Sequence, residues 1–263
     1  MRLFTFYLLI SLFAAGPATG QTVINTEALR LEADTQRVRG SMALNLGMSR
    51  NKAGRFFRPG FNGRLEVRAG QNRYMVLGGY ALTRFTDLDE PEEPVTIFNE
   101  RGFGHLRFNR SLSERVTWEA FGQYQFDQVQ EIDRRILIGT GPRYRITETE
   151  SGFLFGGLQY MYEYEETSAV AGEIVYNKHN RLSTYLSGGS TFNEHVSGNL
   201  TVYFQPRPDR WSDYRVSATG NLTASLSGGF GFSLNANYVY DARPPITVPT
   251  VMYDFGAGLT FTW

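Results

Sequence analysis

The end of the chain alternates strictly between apolar and polar residues, and this pattern constrains the fold more than any other feature. One set of alternate positions holds Tyr253, Phe255, Ala257, Leu259, Phe261 and Trp263. The positions between them hold Asp254, Gly256, Gly258, Thr260 and Thr262. Because successive side chains of a β-strand point to opposite faces, a period of two predicts a long strand with one apolar and one polar surface.

Both termini carry features of an exported barrel. A last strand that ends on an aromatic residue resembles the signal by which outer-membrane barrels are recognised for assembly. Residues 1–20 read as a signal peptide, with Arg2 before an apolar run and small residues before Gln21. The run is shorter than the roughly 20 apolar residues that a spanning helix needs, which makes an uncleaved anchor the weaker alternative. Residues 21–38 are then expected to be a periplasmic segment.

The composition excludes several kinds of site. The chain has no cysteine, which removes disulfides, thiolate catalysis and thiolate metal sites. Its 26 basic and 26 acidic residues cancel, so no net field favours nucleic acid as a partner. His105, His179 and His195 lack the spacing of metal ligands, and we expect neither a metal nor another cofactor. The mean hydropathy is negative, as in a membrane barrel, where only alternate residues face lipid.

Alternating stretches recur about every 15–20 residues after Gly40, which is the strand-and-turn spacing of a barrel. They predict about twelve antiparallel strands in one all-β transmembrane barrel that spans residues 39–263. The predicted strands are 40–50, 59–70, 73–85, 98–110, 115–127, 133–146, 152–165, 180–192, 195–206, 213–226, 229–241 and 251–263. Twelve is an even number, as bacterial single-chain barrels have.

The connections between these strands alternate in length. The even-numbered ones are short, for example Gln71-Asn72 and Asn193-Glu194. The odd-numbered ones are mostly longer: 86–97, 166–179, 207–212 and 242–249. Short periplasmic turns and longer external loops are typical of outer-membrane barrels, so the long set is expected outside the cell.

Aromatic residues cluster towards both ends of the predicted strands. Beside the long loops lie Tyr124, Phe126, Tyr162, Tyr164, Phe204, Tyr214, Tyr238, Tyr240 and Tyr253. Beside the short turns lie Phe108, Trp118, Tyr144, Phe192, Phe230 and Trp263. Two such girdles place amphipathic rings at the two membrane–water interfaces, which favours the outer membrane over a soluble barrel. The expected partners are outer-membrane lipid, lipopolysaccharide and the barrel assembly machinery.

Short motifs are similar to those of a known family. They are Tyr203-Phe204-Gln205-Pro206, Asp213-Tyr214-Arg215, Asp241 with Pro244-Pro245, Tyr253-Asp254 and the turn from Leu46 to Lys52. The chain resembles the salt-induced outer-membrane protein-like family, domain of unknown function 481, over most of its length after about Gly40. The resemblance implies an outer-membrane location and brings no catalytic residue with it.

The polar phase of the strands predicts which charged residues line the lumen, because a lipid-facing charge costs about 2–4 kcal/mol at the midplane. They are Arg64, Glu66, Arg68, Arg107, Glu119, Arg135, Arg143, Arg145, Glu163 and Arg215, with Glu165 and Asp241 in the same phase. Acids and bases are interspersed. Two interpretations stay open: a narrow pore that passes a small solute, or a structural envelope protein whose lumen is filled by paired side chains. We also expect Arg107 to face Glu119 directly across one hairpin.

A lipid hydrolase is the alternative from a different functional class. His195 and Ser197 are two residues apart, which would place both on one face of a strand. That spacing resembles outer-membrane lipases, in which an imidazole activates a hydroxyl. The pair would face the lumen at the periplasmic rim, however, whereas those enzymes work at the outer leaflet, and no residue that orients the imidazole is evident. The protein is therefore expected not to be an enzyme.

Overall fold

The computed structural model describes residues 37–52, 54–87, 96–168, 173–226, 230–245 and 247–261. The predicted signal peptide and nearly all of the predicted periplasmic segment lie outside the described residues, so both stay predictions. Within the described ranges, no helix is long and apolar enough to cross a membrane.

Twelve β-strands account for most of the described residues, which confirms the number predicted from the alternation. They are β1 (Val38–Arg50), β2 (Gly54–Ala69), β3 (Asn72–Asp87), β4 (Thr96–Ser111), β5 (Val116–Asp127), β6 (Ile132–Glu148), β7 (Gly152–Ser168), β8 (Ile174–Asn193), β9 (Val196–Arg207), β10 (Arg210–Ser225), β11 (Phe230–Asp241) and β12 (Val251–Phe261). A 3₁₀ turn, Gln128–Gln130, connects β5 to β6.

All twelve strands belong to one antiparallel sheet, and each pairs with its neighbours in the chain. Side chains from distant strands meet on one face of this sheet: Arg215 of β10 donates to Glu163 of β7, and Tyr185 of β8 donates to Glu119 of β5. The sheet therefore curls into a barrel with an interior. Among the described residues, no ladder joins the two edge strands, β1 and β12.

Several strands are longer than predicted, and the connections are correspondingly shorter. The ladder between β7 and β8 continues to Ser168 and Ile174, where the sequence predicted a loop over 166–179. Between β9 and β10 only Pro208 and Asp209 lie outside the strands. Backbone hydrogen bonds do not depend on side-chain polarity, so pairing passes through polar residues that disguise the strand ends in the sequence. The connection between β3 and β4 lies outside the described residues.

The two faces of the sheet differ in the way that the alternation predicted. Along β7, Gln159, Met161 and Glu163 are buried, whereas Leu158, Tyr160 and Tyr162 between them are exposed. The exposed face is mostly apolar and the buried face is mostly polar or charged. This is the reverse of a water-soluble barrel, which buries its apolar side chains.

Candidate functional site: the charged interior of the barrel

The ten charged residues proposed for the lumen occupy inward-facing positions of their strands. Seven of them are at most 6 % exposed: Glu66, Arg107, Glu119, Arg135, Arg143, Glu163 and Arg215. Arg64 and Arg68 are half-buried, and Arg145 is exposed at the end of the barrel that carries the short turns. The structure brings nine of the ten into or beside three clusters, each built around one glutamate. Arg145 instead forms an exposed ion pair with Glu148 at 2.7 Å.

The Glu163 cluster is the largest. Glu163 of β7 is 1 % exposed and forms ion pairs with Arg135 of β6 at 3.3 Å, with Arg181 of β8 at 2.6 Å and with Arg215 of β10. A carboxylate withdrawn from water needs such partners, because an unpaired buried charge is strongly destabilising. Glu163 thereby connects strands that are not neighbours in the sheet.

Further carboxylates balance the arginines of the Glu163 cluster. Asp241 of β11 lies 2.6 Å from Arg215, and Asp213 of β10 lies 3.0 Å from Arg181. Glu165 pairs with Arg135 and Arg215, and Arg207 pairs with Asp213 at 3.0 Å. The members are Glu163, Glu165, Asp213, Asp241, Arg135, Arg181, Arg207 and Arg215. Four of these groups are carboxylates and four are guanidinium groups, and Arg207 also pairs with the exposed Asp209 at 2.6 Å.

Sequence reasoning missed two deeply buried members of this cluster, Arg181 and Asp213. Arg181 is 2 % exposed and is the largest fully buried side chain among the described residues, and Asp213 is 4 % exposed. Both lie in the inward phase of their strands. They stood within two residues of the predicted starts of those strands, where an alternating pattern is too short to assign a face. Continuing the phase of β8 back through Arg181 would have found the first.

The Glu119 cluster lies next to the Glu163 cluster, towards the short turns. Glu119 of β5 is completely buried, and one of its oxygens accepts hydrogen bonds from Arg107 Nη2 at 2.8 Å, Gln159 Nε2 at 2.8 Å and the Tyr185 hydroxyl at 2.7 Å. One charged and two neutral donors therefore hold this carboxylate, from strands β4, β7 and β8. The Tyr185 contact crosses to a strand three places away in the sheet.

The expected register of the hairpin between β4 and β5 is wrong by two residues. Arg107 stands opposite Phe121, and Glu119 stands opposite Asn109. A shift of two residues keeps both side chains on the inward face, so the ion pair still forms, diagonally across the ladder. The turn causes the shift, because Leu112 and Ser113 both donate backbone hydrogen bonds to Val116 and make the connection four residues long.

Aromatic rings fill the space beside the Glu119 cluster. The Tyr185 ring lies over Gly157, its direct partner across the β7–β8 ladder, and packs against Tyr203 with ring centroids 5.3 Å apart. The Phe121 ring lies over Gly139 in the same way. A β-carbon at either glycine would occupy the position of the ring, which is why these inward positions carry no side chain.

Buried inward side chains from most of the strands form a layer near the Glu119 cluster, which we call the buried layer. Ten of the twelve strands, β2 to β11, each contribute an inward residue that is at most 5 % exposed: Glu66, Met75, Arg107, Glu119, Leu137, Gln159, Tyr185, Tyr203, Ser217 and Val239. No described side chain of the two remaining strands is buried, and their inward positions include small residues such as Ala43 and Gly256. The interior is therefore packed over most of its cross-section.

The Glu66 cluster extends from this layer towards the short turns. Glu66 is 1 % exposed and pairs with Arg64 at 3.1 Å, Arg68 at 2.8 Å and Arg73 at 2.7 Å. Below it the interior opens into a cavity of about 700 Å³, which is lined by Arg68, Arg73 and Arg143 and by residues of the short turns. We call this space the short-turn cavity.

The structure does not assemble the predicted hydrolase pair. β9 begins at Val196, so His195 lies in the preceding turn and not on the strand face that carries Ser197. The short turn displaces it, since the side chain of Asn193 accepts hydrogen bonds from the backbone N–H groups of His195 and Val196. His105 lies elsewhere, buried beside Gln123, and no group of three or more metal-ligating side chains occurs in the described parts of the chain.

A test of the interior compares two glutamates that differ in burial. We expect Glu119→Gln to lower the free energy of unfolding by about 3–5 kcal/mol, because it leaves the Arg107 guanidinium without its carboxylate in a closed space. The double variant Arg107→Met/Glu119→Gln removes both charges and is expected to be more stable than Glu119→Gln alone. Denaturant titration of the refolded protein measures all three proteins.

The matched control is Glu148→Gln, which breaks the exposed ion pair with Arg145 and is expected to change stability by at most about 1 kcal/mol. Equal costs for Glu119→Gln and Glu148→Gln, or a double variant less stable than Glu119→Gln alone, would contradict a buried and coupled ion pair.

Comparison with known proteins identifies the family but not an activity. No curated protein matches the chain. Among solved structures, one described as "NanC porin structure in rhombohedral crystal form" is 10 % identical, with a TM-score of 0.45 over 84 % of this chain and 100 % of that one. One described as "Bacterial polysaccharide outer membrane secretin" is 8 % identical, with a TM-score of 0.41 over 86 % and 91 % of the two chains. The family described as "Protein of unknown function, DUF481" matches residues 59–263, and the chain belongs to this family.

Proposed function

We propose that the protein is an outer-membrane barrel whose interior is closed by its own side chains, so that it acts as a structural envelope protein and not as an open pore. The buried layer contributed by ten strands carries this proposal. Twelve strands enclose more space than the eight whose interior side chains just fill, so closure requires large inward residues. Arginine, glutamate, tyrosine and methionine supply that volume here.

The outward face supports a membrane location. Leu106, Ile138, Leu158 and Leu186 are about half exposed or more in the middle of their strands, and such a band would be costly in water. The aromatic residues of the two predicted girdles that the structure describes, which leaves out Trp263, lie on the same face, for example Tyr253 and Phe192 towards opposite ends.

Outward-facing hydroxyl groups in this band have internal partners. Those of Thr140 and Thr184 donate to the backbone carbonyls of Glu119 and Phe204. A polar group that faces lipid without such a bond costs several kcal/mol, so this arrangement suits a hydrocarbon surrounding.

The location is tested by placing a charge on each face. We expect Ile138→Arg to lower the free energy of unfolding from lipid vesicles by about 2–4 kcal/mol, because it places a guanidinium in the hydrocarbon layer. Thr223→Arg is the matched control, since Thr223 is exposed and lines the short-turn cavity. A cost for Thr223→Arg equal to that for Ile138→Arg would speak against a lipid-facing outer surface.

A narrow pore is the second candidate, and one observation favours it. The inward residues of β1 and β12 include Ser41, Ala43, Gly256 and Gly258, which are small and at least partly exposed. A track along this side of the interior would bypass the buried layer and could pass a small solute.

Conductance in planar lipid bilayers separates the two candidates. We expect no current steps from the wild-type protein, because the buried layer blocks the interior. We expect steps from Tyr185→Ala/Tyr203→Ala, which removes two rings that pack against each other in that layer. Tyr253→Ala is the control and is expected to stay silent, since this residue faces outward. Steady current through the wild-type barrel would overturn the closed-barrel proposal and favour the pore.

A further inference from the structure

Three exposed arginines lie on the outward face of the barrel at its long-loop end: Arg50 of β1, Arg55 of β2 and Arg84 of β3. The alternation of their strands assigns the face. Arg50 follows the outward Met48 by two residues. Arg55 precedes the outward Phe57 by two residues, and Arg84 stands directly opposite Phe57. We call these three residues the arginine patch.

The arginine patch brings like charges together across two ladders. Arg50 and Arg55 are direct partners in the β1–β2 ladder. Arg84 is a diagonal neighbour of Arg55, which stands opposite Thr86. Direct partners have Cβ atoms about 4.5–5.5 Å apart and long side chains also reach a diagonal neighbour, so like charges in these positions lower stability. Lys52, in the turn between β1 and β2, adds a further exposed cation, and an anion bound among these side chains would remove the repulsion.

Carboxylates do not neutralise the arginine patch within the described structure. In these parts of the chain, no ion pair joins an acidic residue to the patch or to Lys52, whereas Arg134, at the same end of β6, lies 3.0 Å from Glu166. Glu100 is diagonal to Arg84 across the β3–β4 ladder but forms no ion pair with it there. The connection after β3, which lies outside the described residues, carries further acids: Asp89, Glu90, Glu92 and Glu93.

An aromatic ring restrains Arg84. Its guanidinium carbon lies 5.3 Å from the centre of the ring of Phe98, its direct partner across the β3–β4 ladder. The attraction between a cation and an aromatic face favours this position. No side chain in the described ranges accepts a hydrogen bond from this guanidinium, so its N–H groups are open to an oxyanion. A planar guanidinium suits phosphate in particular, because it donates two parallel hydrogen bonds to two phosphate oxygens.

An apolar surface continues from the arginine patch along the outward faces of β1 and β2. Its residues on β1 are each at least 69 % exposed, and those on β2 extend the same surface: Met42, Leu44, Leu46 and Met48, with Phe57 and Phe61. A ligand that covers both the patch and this surface needs an anionic headgroup and apolar chains. That is the chemistry of a phosphorylated membrane lipid.

We infer that the arginine patch binds the phosphate groups of lipopolysaccharide, whose acyl chains lie along the outward faces of β1 and β2. A phosphate monoester carries a charge of about −1.5 to −2 at pH 7, so one or two such groups match the cations gathered here. Contact with this lipid in the cell rests on the proposed outer-membrane location; binding by the purified protein does not.

Melting of the full-length protein in non-ionic detergent with EDTA, followed by heat-modifiable migration, tests the inference. We expect lipopolysaccharide to raise the melting temperature of the wild type saturably, because a ligand of the folded barrel stabilises it. In Arg50→Gln/Arg55→Gln and in Arg84→Gln, the half-saturating concentration is expected to rise about tenfold or more, since hydrogen bonds to a charged group are lost. The matched control, Arg110→Gln/Arg115→Gln, removes two exposed arginines at the short-turn end and is expected to respond as the wild type does.

The repulsion within the patch gives a second readout. Without lipopolysaccharide, Arg50→Gln/Arg55→Gln is expected to melt at or above the temperature of the wild type, because like charges no longer face each other. With lipopolysaccharide at a concentration that saturates the wild type, the same variant is expected to melt below it. A merely structural role would lower the melting temperature equally in both conditions, and that result would overturn the inference.

Two comparison lipids identify the occupant. Lipopolysaccharide stripped of its phosphates is expected to give no shift, and a shift equal to that of the intact lipid would overturn the role of phosphate. Phosphatidylglycerol is expected to act at least about tenfold more weakly, and an equal effect would overturn the assignment to lipopolysaccharide. Absence of any shift in the folded wild type, as expected if the acidic connection after β3 occupied the patch, overturns the inference without touching the bilayer recordings or the Ile138→Arg comparison.

Discussion

The deeply buried charges of this barrel need partners from other side chains, and much of the described interior follows from that constraint. Removing one partner of a buried pair costs about 3–5 kcal/mol, because the remaining charge has lost its hydration and gains nothing in return. Glu66 and Glu163 each pair with three arginines, and Glu119 accepts from one arginine and two neutral groups. Partners from several strands are needed to surround one carboxylate, so the contacts tie together strands that the backbone ladders leave apart.

The three clusters give the two ends of the barrel different properties. The Glu163 cluster, towards the long loops, joins four carboxylates to four guanidinium groups, and most of its members are deeply buried. The Glu66 cluster, towards the short turns, joins one carboxylate to three guanidinium groups beside an open cavity. Aromatic rings over Gly139 and Gly157 complete the boundary between them.

The sequence predicts the architecture of this chain well, because the strands and turns can be recognised from residues that are close together in the chain. Alternation with period two assigns each residue to a face, and the turns between alternating stretches give the number of strands. The strand ends are harder to predict, since the ladders continue through polar residues near Ile174 and Ser168. The pairing register of two strands is also hard to predict, because it depends on the geometry of the turn between them. The four-residue turn after Ser111 moves Glu119 by two positions relative to Arg107.

The membership of the clusters depends on the curvature of the whole sheet. Nothing in the sequence near Glu163 indicates that Arg215, fifty-two residues further on, would reach it. The same holds for Tyr185 and Glu119, which meet although two strands lie between theirs in the sheet. Sequence reasoning can therefore propose that inward charges pair, but it cannot assign the pairs.

Closure of the interior can be measured most directly by cysteine accessibility, because the chain has no cysteine of its own. Ser183→Cys places a thiol at a position that is completely buried between the Glu163 and Glu119 clusters, and Thr223→Cys places one in the short-turn cavity. In lipid vesicles that expose the short-turn end to the medium, a water-soluble methanethiosulfonate reagent is expected to modify Thr223→Cys rapidly and to leave Ser183→Cys unmodified. Modification of both thiols at similar rates would show that water passes the buried layer, and it would contradict a closed barrel.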